Sequence, residues 1–341
     1  MSDLNPIHKR PTLAEVAAKA GVSRSAVSRT FTEGASVSPA TRGKVQAAAT
    51  ALGYRPNVLA RSLTTRRTGM VGLVANNFHN PIYLEVFDLF TRAVQPLGLR
   101  PLIVNLTDEV DPARSADMLQ QYQVDAVVVA SSTLPIGFAD AFANAHIPVI
   151  HAFGRPGSDD RIHVVGIDNV EAGRMAARRL IQTGRSQLGY LGGPERATSS
   201  RDRLDGFLDV LKQHPEIDYR VHFAGDYTFE AGFQAMAGQI LKGPAQAYFC
   251  GDDVISMGAI SALKKSGLDV PADVGVIGFN DMEMAGWESV QLSTISQPLD
   301  QIIQVTAQLL DSIINQSQRP AAQTTLLPCK VIERQTLPER C

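Results

Sequence analysis

From Met70 onward the chain alternates short runs rich in β-branched residues with longer stretches of helical periodicity. That alternation restricts the body to parallel sheets wrapped by helices. The strand candidates fall in two sets. Met70–Ala75, Pro101–Asn105, Ala126–Ala130, Val149–Ala152 and Val164–Ile167 form the first; Leu188–Leu191, Val221–Phe223, Ala247–Cys250 and Gly275–Gly278 form the second. Helical stretches such as Glu171–Thr183 and Ser256–Ser266 separate most of them. Two sets predict two doubly wound lobes, and ligands in such sheets bind beyond the C-terminal strand ends. The pocket is therefore expected in the cleft between the lobes.

Several chemistries lose support at once. No GxGxxG follows the first strand and no Walker A string occurs, so no nucleotide cofactor is expected. Neither HExxH nor GxSxG is present, which leaves no zinc-protease helix and no nucleophile elbow. Cys250, Cys329 and Cys341 are far apart, with no metal-ligand spacing, and Cys250 reads as a small apolar strand residue. This cysteine usage fits a reducing cytoplasm. No apolar run reaches 18 residues and the first ten residues lack a signal-peptide core, so neither membrane nor export is expected.

Charge is distributed unevenly. Of the 32 basic and 34 acidic residues, 11 and 3 fall within the first 67, giving that segment +8 and the remainder −10. Positive charge gathered in one fifth of the chain is the footprint of a polyanion-binding module. Within it, Thr12 and Glu15 form a capping-box pattern ahead of an apolar periodicity that stops at Gly21. Ser23 then caps a second helix with Ala26 and Val27 on its inner side. Helix, short Gly-containing turn and helix is a helix-turn-helix, whose second helix reads base edges with its N-terminal residues. Those residues are Arg24, Ser25 and, one turn on, Arg29. Arginine pairs bidentately with guanine, and serine bonds either kind of base edge. Ser28, Thr32 and the Ser38–Thr41 start of a third helix can supply phosphate contacts. The third helix carries Val45, Ala48, Ala49 and Leu52 as its apolar stripe and closes at Gly53.

The string TLAEVAAKAGVSRSAVSRTF…VSPATRGKVQAAATALGYRPNVLARSL resembles, without a gap, the head of the lactose/galactose repressor (LacI/GalR) family. NPIY, RDRLDGF, CGDDVISMGAI, VGVIGFNDM and LSTISQP extend the resemblance over the rest of the chain. It implies a small all-α helix-turn-helix head over residues 1–56 and a hinge over 57–67. Residues 68–341 would form the α/β body of two doubly wound lobes, of the periplasmic-binding-protein-like type I. The implied function is a sequence-specific transcriptional regulator, a repressor by family habit, that responds to a small molecule in the cleft. The family's DNA-contacting positions fall on Thr12, Ser23, Arg24, Ser25, Ser28, Arg29, Thr32, Asn57, Ala60 and Leu63. The leucine matching Leu63 wedges into the minor groove, where the unstacking it costs is offset by contacts that the bend permits. SRTFTEG departs from the commoner SRVLNG and puts Thr30, Phe31 and Thr32 at family Val, Leu and Asn positions.

Carried over residue by residue, the effector positions are Phe78, Ile82 and Tyr83 in the first lobe and Phe153 at the last strand before the crossover. Ser199, Arg203, Tyr227, Asp252 and Asn280 come from the second lobe, with Gln297 at the last crossover. Arg203 is the implied hydrogen-bonding clamp; the lesser alternative is a surface ion pair. Asp252 could also be a helix N-cap, a role compatible with ligand contact. The family has Asn-Asp where this chain has Asp252-Asp253, and Asp-Asp where it has Asn280-Asp281, so amide and carboxylate have changed places. A carboxylate only accepts hydrogen bonds, which favours a hydroxyl-rich effector such as a sugar or polyol. Arg203 would also suit a sugar acid, and Phe78 with Tyr83 could stack on a purine. The implied partners are a pseudo-palindromic operator in double-stranded DNA and a second copy of the chain. No leucine heptad follows Val331-Ile332, where the family's tetramerising tail would stand, so a homodimer is expected. A transporter's solute-binding protein would share the body but not the basic head, and an enzyme would need more than Asp252 and Asp281.

Overall fold

Thr12 opens the first helix, α1 (Leu13–Ala20). Its hydroxyl accepts from the Glu15 N–H, and the Glu15 carboxylate accepts from the Thr12 N–H at 2.7 Å, closing the capping box. Gly21, at φ +66°, ends the helix in the left-handed conformation that glycine adopts without steric cost. The Ser23 hydroxyl caps α2 (Arg24–Thr30) by accepting from Ala26 N–H. Ser38, followed by Pro39, caps α3 (Pro39–Leu52), which Gly53 closes. Val16, Ala17, Val27, Val45, Ala48 and Ala49 form the buried centre of the three helices, and Ala26 is only half buried.

The computed structural model describes residues 11–32, 34–56, 67–106, 111–131, 134, 137–156, 161–316 and 320–339. Two compact units result, Met1–Thr68 and Gly69–Cys341. Asn57, Ala60 and Leu63 lie outside the described residues.

The second unit holds two six-stranded sheets. In the first lobe, β1 (Met70–Asn76), β2 (Arg100–Leu106), β3 (Ala126–Ala130), β4 (Val149–Ala152), β5 (Ile162–Ile167) and β11 (Thr324–Leu327) lie in the order β11-β5-β4-β3-β1-β2, all parallel. Helices α4 (Ile82–Val94), α5 (Pro112–Gln121), α6 (Phe138–Asn144) and α11 (Leu299–Asn315) belong to it. In the second lobe the order is β12-β10-β9-β8-β6-β7, built from β6 (Gln187–Gly192), β7 (Asp218–Phe223), β8 (Ala247–Cys250), β9 (Gly275–Asn280), β10 (Thr294–Ser296) and β12 (Lys330–Ile332). Only β12 runs antiparallel to its neighbour. Helices α7 (Asn169–Ile181), α8 (Thr198–Leu211), α9 (Phe229–Ile240) and α10 (Asp253–Lys265) flank this sheet.

The chain passes between the lobes three times: after β5, after β10 and between β11 and β12. This corrects two sequence placements. Phe153 directly follows β4, and β5 intervenes before the first crossing; Gln297 stands at the second crossing, not the last. One apolar cluster runs from Val71, Leu73 and Phe90 through Leu299 and Ile302 to Phe207, Phe249 and Phe279, so the lobes share a core beneath the cleft.

The second lobe's helices are locked by backbone contacts that only glycine permits. A Cβ at Gly206 of α8 would lie 1.8 Å from the Val170 carbonyl oxygen of α7, and one at Gly173 would lie 2.0 Å from that of Arg203. Gly232 and Gly258 join α9 to α10 in the same way. Close packing of this kind fixes the helix that carries Arg203 against the helix that starts at Asn169.

Candidate functional site

The head presents one solvent face. Val27 and Thr30 are buried on the inner side of α2, while Arg24, Ser25, Ser28 and Arg29 are exposed on the other. The 3.6-residue period places positions 24, 25, 28 and 29 together. Ser23 and Ser25 share a hydrogen bond between hydroxyls at 2.9 Å, and Arg29 Nε reaches the Ser25 carbonyl at 3.4 Å. Both guanidinium groups therefore stand near the N-terminal end of the helix, where recognition helices meet base edges. Thr12 and Thr32 are exposed as well; the Thr12 hydroxyl serves the capping box, and that of Thr32 donates to the Ser28 carbonyl at 2.9 Å. The departures at Thr30 and Phe31 are absorbed locally. The buried Thr30 hydroxyl donates to the Ala26 carbonyl, Arg42 donates to the Thr30 carbonyl, and Phe31 packs on Tyr54 with ring centroids 5.8 Å apart.

In the body, strand C-termini from both lobes converge on one pocket. Eight of the ten effector positions line it: Ile82, Tyr83, Phe153, Arg203, Tyr227, Asp252, Asn280 and Gln297. Phe78 sits just outside, at the cleft mouth, edge-on to Phe87 at 4.9 Å. Ser199 is buried behind the pocket wall, with its hydroxyl 3.3 Å from that of Tyr227. Asn77, Asn80, Val86, Ile167, Asn169 and Leu299 also line the pocket and were not among the expected residues. Asn80 stood in the NPIY string, and an amide directly ahead of Pro81 at the start of a helix is the signal that could have found it.

Arg203 is 6 % exposed, which removes the surface ion pair as its role. Nε donates to Asn169 Oδ1 at 2.8 Å, and Nη1 donates to the Gly251 carbonyl at 2.7 Å. The guanidinium carbon lies 3.5 Å from the Phe279 ring centroid. Stacking on a ring and two hydrogen bonds hold the planar group in one orientation in the pocket wall.

Asp252 is both N-cap and pocket residue. Its Oδ1 accepts from Val254 N–H at 2.8 Å, capping α10. Its Oδ2 accepts from Asn80 Nδ2 of the first lobe and Asn280 Nδ2 of the second, each at 2.8 Å. Asn280 Oδ1 in turn accepts from Gln297 Nε2 at 2.7 Å. A carboxylate offers about four lone-pair positions, and the Val254 and Ile255 N–H groups, Asn80 and Asn280 occupy them, so a ligand hydroxyl reaches Asp252 where one of these side chains yields its place. Burial raises the Asp252 carboxyl to about 6, against the Asn80 and Val254 hydrogen bonds and Arg203, which favour the charged form. Asp253 is fully buried and lifted further, to about 8, chiefly by burial, although Thr294 Oγ1 and Met282 N–H donate to it.

Backbone conformation is unusual at the strand ends that build the pocket. Asn77, Phe153 and Asn280 have φ of +60°, +63° and +118°, and Asp281 follows at +61°. Non-glycine residues rarely occupy this region, and such strain clusters where a fold aims side chains at a ligand. Asp281 accepts from Arg334 Nη2 at 2.7 Å, and Arg334 Nη1 donates to the Leu292 carbonyl. That ion pair holds the β9 exit and turns the Asp281 carboxylate towards Arg334, so it does not line the pocket with Asp252. Among the described residues no cluster of three His, Cys, Asp or Glu could hold a metal, and no helix is long and apolar enough to cross a membrane.

Comparison with known proteins agrees with both halves of this geometry. Residues 12–57 match the family described as bacterial regulatory proteins, lacI family, and residues 177–337 match a periplasmic binding protein-like domain. The chain is 33 % identical over 322 residues to the HTH-type transcriptional regulator CelR of Thermobifida fusca, covering 92 % of this chain and 94 % of that protein. It is 33 % identical over 335 residues to the HTH-type transcriptional repressor PurR of Photorhabdus laumondii, covering 96 % of each. Among solved structures, a complex of CelR with cellobiose superposes with a TM-score of 0.70 at 28 % identity, over 96 % of this chain and 100 % of the other. The lac repressor dimer bound to operator and an anti-inducer shares the fold, with a TM-score of 0.87 at 24 % identity over 97 % and 100 %. The head matches along its length, the body from residue 177 onward, and relatives a third identical span almost the whole chain: it belongs to the LacI family of bacterial regulatory proteins and is a DNA-binding transcriptional regulator.

Proposed function

We propose that the chain is a homodimeric repressor of a pseudo-palindromic operator, released or tightened by a hydroxyl-rich effector bound between its lobes. The observation that carries the effector class is the polar set of buried Arg203, Asp252 and Asn280 with half-buried Gln297 in one interlobe pocket. Fixed donors beside an acceptor-only carboxylate suit the alternating hydroxyls of a sugar, polyol or sugar acid. The cellobiose held by its relative CelR belongs to the same chemical class. A ligand that touches both lobes changes the balance between two lobe arrangements by its differential affinity for them, and operator affinity follows. Base contacts fall to Arg24, Ser25 and Arg29, and phosphate contacts to Thr12, Ser23, Ser28 and Thr32. Asn57, Ala60 and Leu63 would contribute at the minor groove. DNA as partner places this work inside the cell, and the chain acts by binding; turnover of a bound sugar would overturn that.

The test starts from an operator selected out of a random duplex pool. Its affinity is measured by fluorescence anisotropy while sugars, polyols, sugar acids and purines are titrated. A hydroxyl-rich compound is expected to shift operator affinity. Arg203→Ala should weaken that compound's binding roughly 10- to 100-fold, the cost of a lost charge-assisted hydrogen bond, while unliganded operator affinity stays unchanged. A response to purines alone, or one that survives Arg203→Ala, would defeat the reading.

A further inference from the structure

The pocket around Arg203 does not end at Tyr227. Its free volume is only about 60 Å³, yet beyond the tyrosine ring the cleft opens into a second compartment of about 440 Å³. The two share Asn77 and Tyr227 as a common wall. The outer compartment is polar: Asn105 at the end of β2 and His79 face it from the first lobe, and Arg196 and Asp226 from the second.

Tyr227 is built in as a partition. Its ring occupies the space where a side chain at position 193 would be; a Cβ on Gly193 would lie 2.4 Å from two ring carbons. Its hydroxyl is tied to Ser199 and to Ser200, at 3.3 and 3.0 Å. An aromatic ring with its polar tip secured offers a rigid apolar face, and amide, carboxylate and guanidinium groups around such a face match a pyranose ring with equatorial hydroxyls.

Resting on the carbohydrate reading above, we propose that the outer compartment is a second sugar subsite, and that the effector is a linear saccharide of at least two rings laid across Tyr227. The inner ring meets Arg203 and Asp252; the next ring meets Asn105, Arg196 and Asp226. A single ring leaves the outer compartment to water and forgoes the contacts there.

The experiment is calorimetric titration of the full chain with three matched pairs: glucose and cellobiose, galactose and lactose, mannose and β-1,4-mannobiose. In the pair that binds, the disaccharide is expected to bind at least about tenfold more tightly than its monosaccharide. Asn105→Trp fills the compartment from an exposed strand end and should erase that gain while leaving the monosaccharide Kd within about twofold. Arg196→Ala, on the opposite wall, reads the same effect should the tryptophan variant fail to fold. Equal affinity within a pair, or equal weakening of both sugars in the variants, overturns the subsite and leaves the carbohydrate reading standing. If no member of any pair binds, the subsite falls, and the hydroxyl-rich reading is decided separately by the sugar, polyol and sugar-acid titration of operator binding.

Discussion

Asp253 receives two hydrogen bonds suited to a charged carboxylate, yet burial beside Asp252 lifts both carboxyls above the usual range, to about 8 and about 6. A folded-state pKa above the unfolded value of 3.8 means that the native protein binds more protons than the unfolded chain between the two. These carboxyls therefore contribute stability in acid that is lost as pH rises towards 8. His151 and His163 act with the opposite sign: burial lowers both, so their contribution is lost as pH falls through 6.5 and below. A difference measurement separates the two. Asp253→Asn should flatten the decline of the thermal midpoint between pH 6 and pH 8 relative to wild type; identical slopes would mean that Asp253 is ionised throughout. The sequence made Asp252 legible as a carboxylate at a strand end and left its two roles open, and the fold assigns it both. It could not reveal that Asn80, some 170 positions away, would share that carboxylate, because the bond exists only once two lobes have closed on each other.

The helices of the second lobe meet at glycine notches, and the effector residues inherit their precision from that contact. Gly206→Ala would drive a methyl group into the Val170 carbonyl, so α8 must shift and take Arg203 with it. The expected cost is about 3 kcal/mol of stability, read as a lower urea midpoint, together with weakened effector binding. Unchanged stability would show that the α7–α8 pair has room to slide. Periodicity and capping made most of these elements legible: Thr12, Ser23 and Ser38 each begin the helix expected of them, and the candidate strands of the two sets appear within a few residues of their expected ends. The short strands β10, β11 and β12 were not legible. Three or four residues carry too little alternation to announce a strand, and their pairing is decided by the sheet edge they meet.

The charge imbalance belongs to the whole molecule. A head at +8 on a body at −10 should bind its operator with a steep dependence on salt, since each neutralised phosphate releases counterions. Affinity is expected to fall by about three orders of magnitude between 50 and 200 mM salt for a dimer making six or more phosphate contacts. A flat dependence would exclude the exposed α2 face as the principal contact with DNA. The exposed Arg24 and Arg29 of that face and the acidic balance of the body were both legible in sequence order.

The three passages between lobes govern how the protein is made. The second lobe is nearly continuous in the chain from Asn169 to Ser296 and lacks only its β12 edge. The first lobe, though begun earlier, must wait for α11, which brings Leu299, Ile302, Ile303 and Leu310 to its core, and for β11 at its sheet edge. A ribosome therefore releases the start of one lobe long before that lobe can close, and the lobe encoded in the middle is the first able to finish. The half-built first sheet, with its hydrophobic face uncovered during that interval, is the nascent surface on which a chaperone has most to do.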